Sequence, residues 1–184
     1  MARRGSHGAA AFTLLEVMVT IVVIAILAVL AIPVISKLRE RALRVQCAAN
    51  LRSLHVAANL YIQQNGSWPQ IQLASGEDSA LQDYANAWVA ALEPFGVQRK
   101  TWICPAIQNK ERTEYSTPET VRIDYFAMPF DDKPTTPHQW PNMFWFAEAG
   151  DVHGNGQLMV FADGSIREFK SFAAALPGGA QANQ

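Results

Sequence analysis

The sequence predicts an α+β fold in which a long N-terminal α-helix, first transmembrane and then an amphipathic stem, packs on a small antiparallel β-sheet head. Residues 17–35 form an uncharged apolar run, and residues 37–64 contain neither Pro nor Gly. Near the C-terminus, two short apolar segments flank Asp163-Gly164, a dipeptide typical of the tight turn in a β-hairpin. The helix is therefore expected first in the chain and the sheet last.

The first half of the predicted helix, residues 12–35, is long and apolar enough to cross a membrane. At about 1.5 Å per residue it spans a hydrocarbon layer about 30 Å thick. Glu16 is the exception, since a carboxylate in a lipid-facing helix costs roughly 2.5 kcal/mol or more unless it is paired. Pro33 is a second irregularity, because it cannot donate a hydrogen bond to the carbonyl of Val29.

A short basic segment, residues 1–11, precedes the apolar run and is typical of a targeting leader. One interpretation is an ordinary secretory signal peptide, with Val29 and Ala31 at its cleavage site and a product that starts at Ile32. The positive-inside rule alone would keep the C-terminal part in the cytoplasm, because more basic residues follow the run than precede it. The basic residues that follow are Lys37, Arg39, Arg41, Arg44 and Arg52.

Residues 12–33, FTLLEVMVTIVVIAILAVLAIP, resemble the N-terminal signature of type IV pilins and type II secretion pseudopilins. In this family prepilin peptidase removes a basic leader just before a Phe, whose amine is then methylated. The resemblance implies cleavage between Ala11 and Phe12 and methylation of Phe12, although the family usually has Gly where this chain has Ala11. It also implies that Glu16 guides subunit docking and that Pro33 loosens the helix during assembly.

The resemblance implies a structural subunit, not an enzyme, of a type IV pilus-like or type II secretion pseudopilus filament. The leader would lie in the cytoplasm, the helix in the bacterial inner membrane and the head outside the cytoplasm. This orientation is the opposite of the one that the positive-inside rule predicts from the basic residues after the apolar run. The assembled filament would lie in the periplasm or at the cell surface. Expected partners are copies of the chain or other pilins, prepilin peptidase, the inner-membrane assembly platform and the lipid bilayer. No nucleic acid is expected, since the net charge is −1.

The second half of the helix, residues 36–65, is predicted to be an amphipathic stem. Its apolar residues recur at spacings of three and four, which places them on one helical face. Gly66 and Pro69 are expected to end it. The apolar positions are Leu43, Cys47, Leu51, Leu54, Ala58 and Tyr61.

The head is assigned to residues 66–176, and residues 177–184 are predicted to be a disordered tail. A second helix is expected over residues 79–92, with Trp88 on its apolar face as a core residue. Leu81, Tyr84 and Leu92 share that face. Strands are expected over residues 121–128, 143–147, 158–162 and 165–169, and loops over residues 67–78, 106–119, 131–142 and 148–156.

Cys47 and Cys104 are the two cysteines of the chain. If the head is extracytoplasmic, a disulfide between them is permitted and would brace the head against the stem. Two buried free thiols are the alternative. Because neither Cys-x-x-Cys nor His-x-His spacing occurs, the sequence predicts no zinc site.

His153 lies nine residues before Asp163 and Gly164. This spacing resembles a signature of a pseudopilin-like subgroup found mostly in Planctomycetes and Verrucomicrobia, as do the Cys-x-x-Asn-Leu-Arg of residues 47–52 and the Cys-Pro of residues 104–105. The role of the motif stays open. In a structural interpretation Asp163 and Gly164 make the turn, and His153 hydrogen-bonds within the preceding loop or to the hairpin.

A metal or catalytic site is the alternative interpretation of the same region. It would use Asp151, His153 and Asp163, and it would make the chain a membrane-anchored extracytoplasmic enzyme. Asp151, Asn155 and Asp163 also offer oxygen ligands for calcium, although they lack EF-hand spacing. No other cofactor is expected, because Gly-x-Ser-x-Gly, Walker-type and Rossmann patterns are absent. A minor pilin at a filament tip, binding a ligand through the aromatic residues 138–146, is a further alternative.

Overall fold

The chain forms two compact units, Met1–Arg39 and Glu40–Gln184. Helix α1 (Leu14–Asn65) begins in the first unit and ends in the second. The predicted leader, the tail, Ala11, Phe12 and Asn155 lie outside the described residues, so the predicted domain bounds stay a prediction. The computed structural model describes residues 13–73, 80–111, 121–154 and 156–169.

The first part of α1 is exposed along its whole length. Every side chain of residues 13–42 is exposed. Thr13 caps the helix, because its Oγ1 accepts a hydrogen bond from the backbone N–H of Glu16 at 3.3 Å. Pro33 lies inside the helix, which continues past it. Within the described residues, α1 is the one helix that is long and apolar enough to cross a membrane.

The second part of α1 buries the apolar face that its spacing predicts. Leu43 and Tyr61 are partly buried against the core. Gly66 ends the helix with a φ of 73° and donates its N–H to the carbonyl of Ile62 at 2.8 Å. The buried residues of α1 are Cys47, Leu51, Leu54, Ala57, Ala58 and Ile62.

Within the described residues, four antiparallel strands form a single sheet in which each strand pairs with the next one along the chain. Together with α1, this sheet confirms the predicted α+β class. A bulge lies in β2 between Phe144 and Phe146. The strands are β1 (Tyr125–Ala127), β2 (Phe144–Glu148), β3 (Gln157–Phe161) and β4 (Ile166–Phe169).

The remaining helices correct two predicted loops. Helix α2 (Ala80–Leu92) lies where a helix was expected, but α3 (Pro105–Glu111) and the short α4 (Thr136–Gln139) occupy segments predicted as loops. Pro105 and Pro137 stand in the first turns of these helices, where the missing N–H of proline is not needed. Two short 3₁₀ helices, Glu93–Phe95 and Arg99–Trp102, connect α2 to α3.

Strand β1 is shorter than the predicted strand over residues 121–128. The backbone N–H of Asp124 donates to the carbonyl of Trp102 at 2.8 Å, so the chain before β1 bonds to the 3₁₀ segment.

Trp68 lies at the centre of an aromatic core. It is 0% exposed, and its ring centroid lies 5.7 Å from Trp88, 5.1 Å from Phe130, 5.2 Å from Trp145 and 5.7 Å from Phe146. Trp88 is thus a core residue, as predicted. Leu81, which was assigned to the same face of α2, is exposed instead. Tyr84 and Leu92 are buried.

The turn between β3 and β4 contains three residues and not the predicted two. The N–H of Phe161 donates to the carbonyl of Ser165 at 3.0 Å, and the N–H of Gly164 donates back to Phe161 at 2.9 Å. Gly164 has a φ of 74°, as the last position of a three-residue hairpin loop requires. A Cβ at Gly164 would lie 3.3 Å from Cε1 of His55, whose Nε2 lies 3.0 Å from the carbonyl oxygen of Ala162.

Replacing Gly164 with Ala is expected to lower the free energy of unfolding by about 2 kcal/mol, because the backbone is left-handed there and the His55 ring must shift. Gly66→Ala is the matched control: its φ is 73° and its Cβ would meet no atom within 4 Å. It should cost about 1 kcal/mol from backbone strain alone. Urea unfolding of the full chain in detergent, followed by tryptophan fluorescence, measures both. Equal losses would contradict the contact with His55.

Candidate functional site

Cys47 and Cys104 form a disulfide, the pairing that the sequence favoured. Cys47 lies on α1 and Cys104 directly precedes α3, with their Cα atoms 5.3 Å apart and a sequence separation of 57. Both residues are fully buried. The bond therefore joins the stem part of α1 to the head, inside the core.

Glu148 is a buried carboxylate beside this disulfide. It ends β2 opposite Tyr125 of β1, and its side chain is 0% exposed. Its Oε2 accepts a hydrogen bond from the N–H of Leu158 at 3.0 Å. Its Oε1 lies 3.4 Å from Sγ of Cys104 and 3.1 Å from Nε2 of His153. One carboxylate oxygen is thus fixed by the backbone while the other faces the sulfur and the imidazole.

His153 lies in the loop between β2 and β3, with its side chain 3% exposed. Asp151 shapes that loop, since its Oδ1 accepts the N–H of Gly154 at 3.0 Å, and Gly154 has a φ of 78°. His153 thereby contacts Glu148. Glu148 was predicted to begin the loop that contains His153, but it is the last residue of β2. Among the described residues, the hydrogen bonds of the turn between β3 and β4 do not involve His153.

Polar groups hold the backbone of both cysteines. The carboxylate of Asp124 accepts the N–H of Cys104 at 2.9 Å and Nε of Arg122 at 2.8 Å. The hydroxyl of Tyr125 donates to the carbonyl of Cys47 at 3.4 Å. Burial raises the pKa of Tyr125, which keeps this hydroxyl protonated and able to donate. The two cysteines are therefore positioned by more than their own bond.

These contacts bring four ligand-type side chains together: Cys47, Cys104, Glu148 and His153. The ligand atoms lie within 4.8 Å of one another. We call these four residues the Cys–Glu–His cluster. The sequence analysis did not identify Glu148 as a site residue. The feature that could have indicated it is a lone carboxylate directly after the apolar run Phe-Trp-Phe-Ala and five residues before His153.

The structure does not bring Asp151, His153 and Asp163 into one such group, as far as the described residues reach. Asp163 instead accepts the N–H of Ser165 at 2.9 Å, and its Oδ2 lies 3.7 Å from Arg167. The hydrogen bonds from Ser165 lower the pKa of Asp163. The calcium hypothesis stays a prediction.

The aromatic stretch of residues 138–146 is divided between surface and core, since residues 138–142 are exposed and residues 145 and 146 are buried. Trp145 and Phe146 are fully buried, and Nε1 of Trp145 donates to the carbonyl of Pro137 at 3.1 Å. Trp140 is 58% exposed. Residues 138–142 therefore stay open to a ligand, and the ligand-binding minor pilin stays a prediction.

Glu16 and Pro33 both lie on the exposed first part of α1. Residues 6–32 match the family model of the prokaryotic N-terminal methylation motif. The methylation motif contains the predicted cleavage site between Ala11 and Phe12 and includes Glu16. No curated protein and no solved structure matches the chain. The methylation motif and the apolar helix that follows it indicate a membrane-anchored protein with a prepilin-type N-terminus, which favours a structural role over an enzymatic one.

Proposed function

We propose that the chain is a structural subunit of a type IV pilus-like or type II secretion pseudopilus filament. Prepilin peptidase would cleave it between Ala11 and Phe12, and the new amine of Phe12 would be methylated. The observation that carries this proposal is the methylation motif at residues 6–32, continuous with a helix that is apolar and exposed.

The exposed surface of α1 supports assembly through the helix. Its large apolar side chains between Leu14 and Leu38 are all about half exposed or more. Such a surface is stable only when it is covered, first by lipid and then by the helices of neighbouring subunits. Glu16 would be neutralised in the filament by the amine of Phe12 of another subunit.

The head supports the proposed location outside the cytoplasm, since disulfides persist in oxidising compartments. The chain would also belong with the pseudopilin-like subgroup whose signature it resembles. All three parts of that signature meet in the Cys–Glu–His cluster, through Cys47, Cys104 and His153, and Gly164 of the third part lies in the hairpin turn.

Glu16→Ala should leave processing intact but reduce the chain recovered in sheared filaments roughly tenfold or more. The change removes the partner of a buried amine, and breaking a buried ion pair costs several kcal/mol. Intact-mass spectrometry should find both the wild-type and variant chains starting at Phe12 with one added methyl group. Glu40→Ala, which alters an exposed carboxylate on the same helix, is the matched control and should assemble normally.

A chain that starts at Ile32 would mean an ordinary secreted protein, and a full-length chain would mean that the peptidase does not act on Ala11. Either result contradicts the proposal. Normal assembly of the Glu16→Ala chain would contradict the role of Glu16.

A further inference from the structure

We propose that the head binds one Zn²⁺ through the Cys–Glu–His cluster when Cys47 and Cys104 are reduced. The cluster supplies two sulfurs, one carboxylate oxygen and one imidazole nitrogen, and four ligands of these types are what a closed structural zinc site uses. The filament role does not require this site. It lies entirely within the unit Glu40–Gln184.

The spacing of the four ligand atoms approaches that of a tetrahedral ion once reduction lets the two sulfurs move apart. With Zn–S near 2.3 Å and Zn–N or Zn–O near 2.0 Å, ligand atoms around zinc lie about 3.3–3.8 Å apart. Oε1 of Glu148 lies 3.1 Å from His153 and 3.4 Å from Cys104, and no pair exceeds 4.8 Å. Shifts of about 1 Å or less in side chains would therefore seat the ion.

The groups around the cluster orient its ligands as an outer shell does in zinc proteins. The N–H of Leu158 occupies Oε2 of Glu148 and leaves Oε1 directed at the cysteines and His153. Asp124 holds the backbone of Cys104, and Tyr125 holds that of Cys47. The hydrogen bonds from Leu158, to Asp124 and from Tyr125 use no atom that the metal needs, whereas the contact between Nε2 of His153 and Oε1 of Glu148 must give way to the ion.

The chemistry of Glu148 also favours a cation. A buried carboxylate needs hydrogen bonds or positive charge to offset its lost hydration. A disulfide sulfur carries no proton, so the 3.4 Å approach of Cys104 to Glu148 is not a hydrogen bond in the oxidised chain. In the reduced chain, Zn²⁺ would attract this oxygen and both thiolates.

Zinc binding and disulfide formation exclude each other at this site. Binding displaces one proton from each thiol, and the proton on Nε2 of neutral His153 moves to Nδ1 so that Nε2 can bind the ion. Two protons therefore leave for each Zn²⁺ that enters, and no electron is transferred. In the disulfide the two sulfurs are bonded to each other and neither is a thiolate ligand. The reduced chain is therefore the zinc-binding form.

The test uses the full-length chain in detergent, reduced with a phosphine and freed of metal. Titration with Zn²⁺ against a chromophoric chelator should show one ion per chain. Co²⁺ in place of Zn²⁺ should give the visible absorption of tetrahedral cobalt and the near-ultraviolet band of cobalt–thiolate bonding. The oxidised chain should show neither. A reduced chain that leaves zinc with the chelator, or an oxidised chain that binds equally well, would overturn the proposal.

Variants identify the ligands. His153→Ala and Glu148→Gln should each weaken zinc binding by about tenfold or more. His138→Ala, at an exposed histidine outside the cluster, should bind like the wild type. Wild-type affinity in the His153 and Glu148 variants would mean that the two cysteines bind metal alone, and this would refute the site. If a variant fails to fold, the wild-type cobalt spectrum still decides.

Discussion

Replacing both cysteines, Cys47→Ala with Cys104→Ala, is expected to lower the free energy of unfolding of the head by about 4 kcal/mol. The disulfide closes a loop with a sequence separation of 57, and a cross-link of that length restricts the unfolded chain strongly. Urea unfolding of the full chain in detergent measures the change, since four buried tryptophans report on the core: Trp68, Trp88, Trp102 and Trp145.

Chelator must be present in this experiment, so that zinc cannot replace the lost cross-link. The wild-type chain, reduced with a phosphine in the same buffer, is the second measurement. It keeps both sulfur atoms and should lose nearly as much stability as the double variant. A loss below about 1 kcal/mol in both would show that the cross-link does not restrict the unfolded chain.

Trp68→Ala is expected to cost a similar amount, about 4 kcal/mol, by leaving a cavity among four aromatic rings. Trp140→Ala removes the same side chain from an exposed position and should change stability by less than about 0.5 kcal/mol. The same urea titration measures both variants. Comparable losses in the two would contradict the central place of Trp68 in the core.

The sequence predicted both ends of α1 to within two residues, because helical periodicity is a local property of the chain. Its apolar face, from Cys47 to Ile62, becomes the buried face, and α2 follows the same rule around Trp88. The strands depended on partners that are distant in sequence. Asp124 lies in an apolar segment that was predicted to be a strand. Its N–H instead donates a hydrogen bond to the carbonyl of Trp102, so the pairing of β1 with β2 begins only at Tyr125.

Both missed helices have a proline in the first turn. Pro137 was assigned to a loop, and a polar loop was expected from residue 106, directly after Pro105, but proline is also favoured in the first turn of a helix. The sequence does not distinguish the two uses, because the choice depends on whether the residues that follow have a core to pack against. Ala106 and Ile107 of α3 have one, and both are buried.

The candidate site was predictable in part. Cys47 and Cys104 stood out as a pair because they are the chain's two cysteines, and His153 stood out through its motif. Glu148 did not stand out. No local sequence pattern shows that this carboxylate will be buried at the end of β2 or that it will lie beside Cys104, 44 positions earlier. The antiparallel pairing of β1, β2 and β3 places it there.

The position of the disulfide determines how the head would carry a mechanical load. Leu43 and Arg44 already contact the head, but the disulfide at Cys47 is the first covalent cross-link that a pull on the N-terminal part of the helix meets. Tension would pass through the sulfur–sulfur bond to Cys104 and continue along the chain from that residue. Everything between the two cysteines, including Trp68 and α2, would lie outside the force path. The chain could then be stretched without a direct pull on Trp68 or α2.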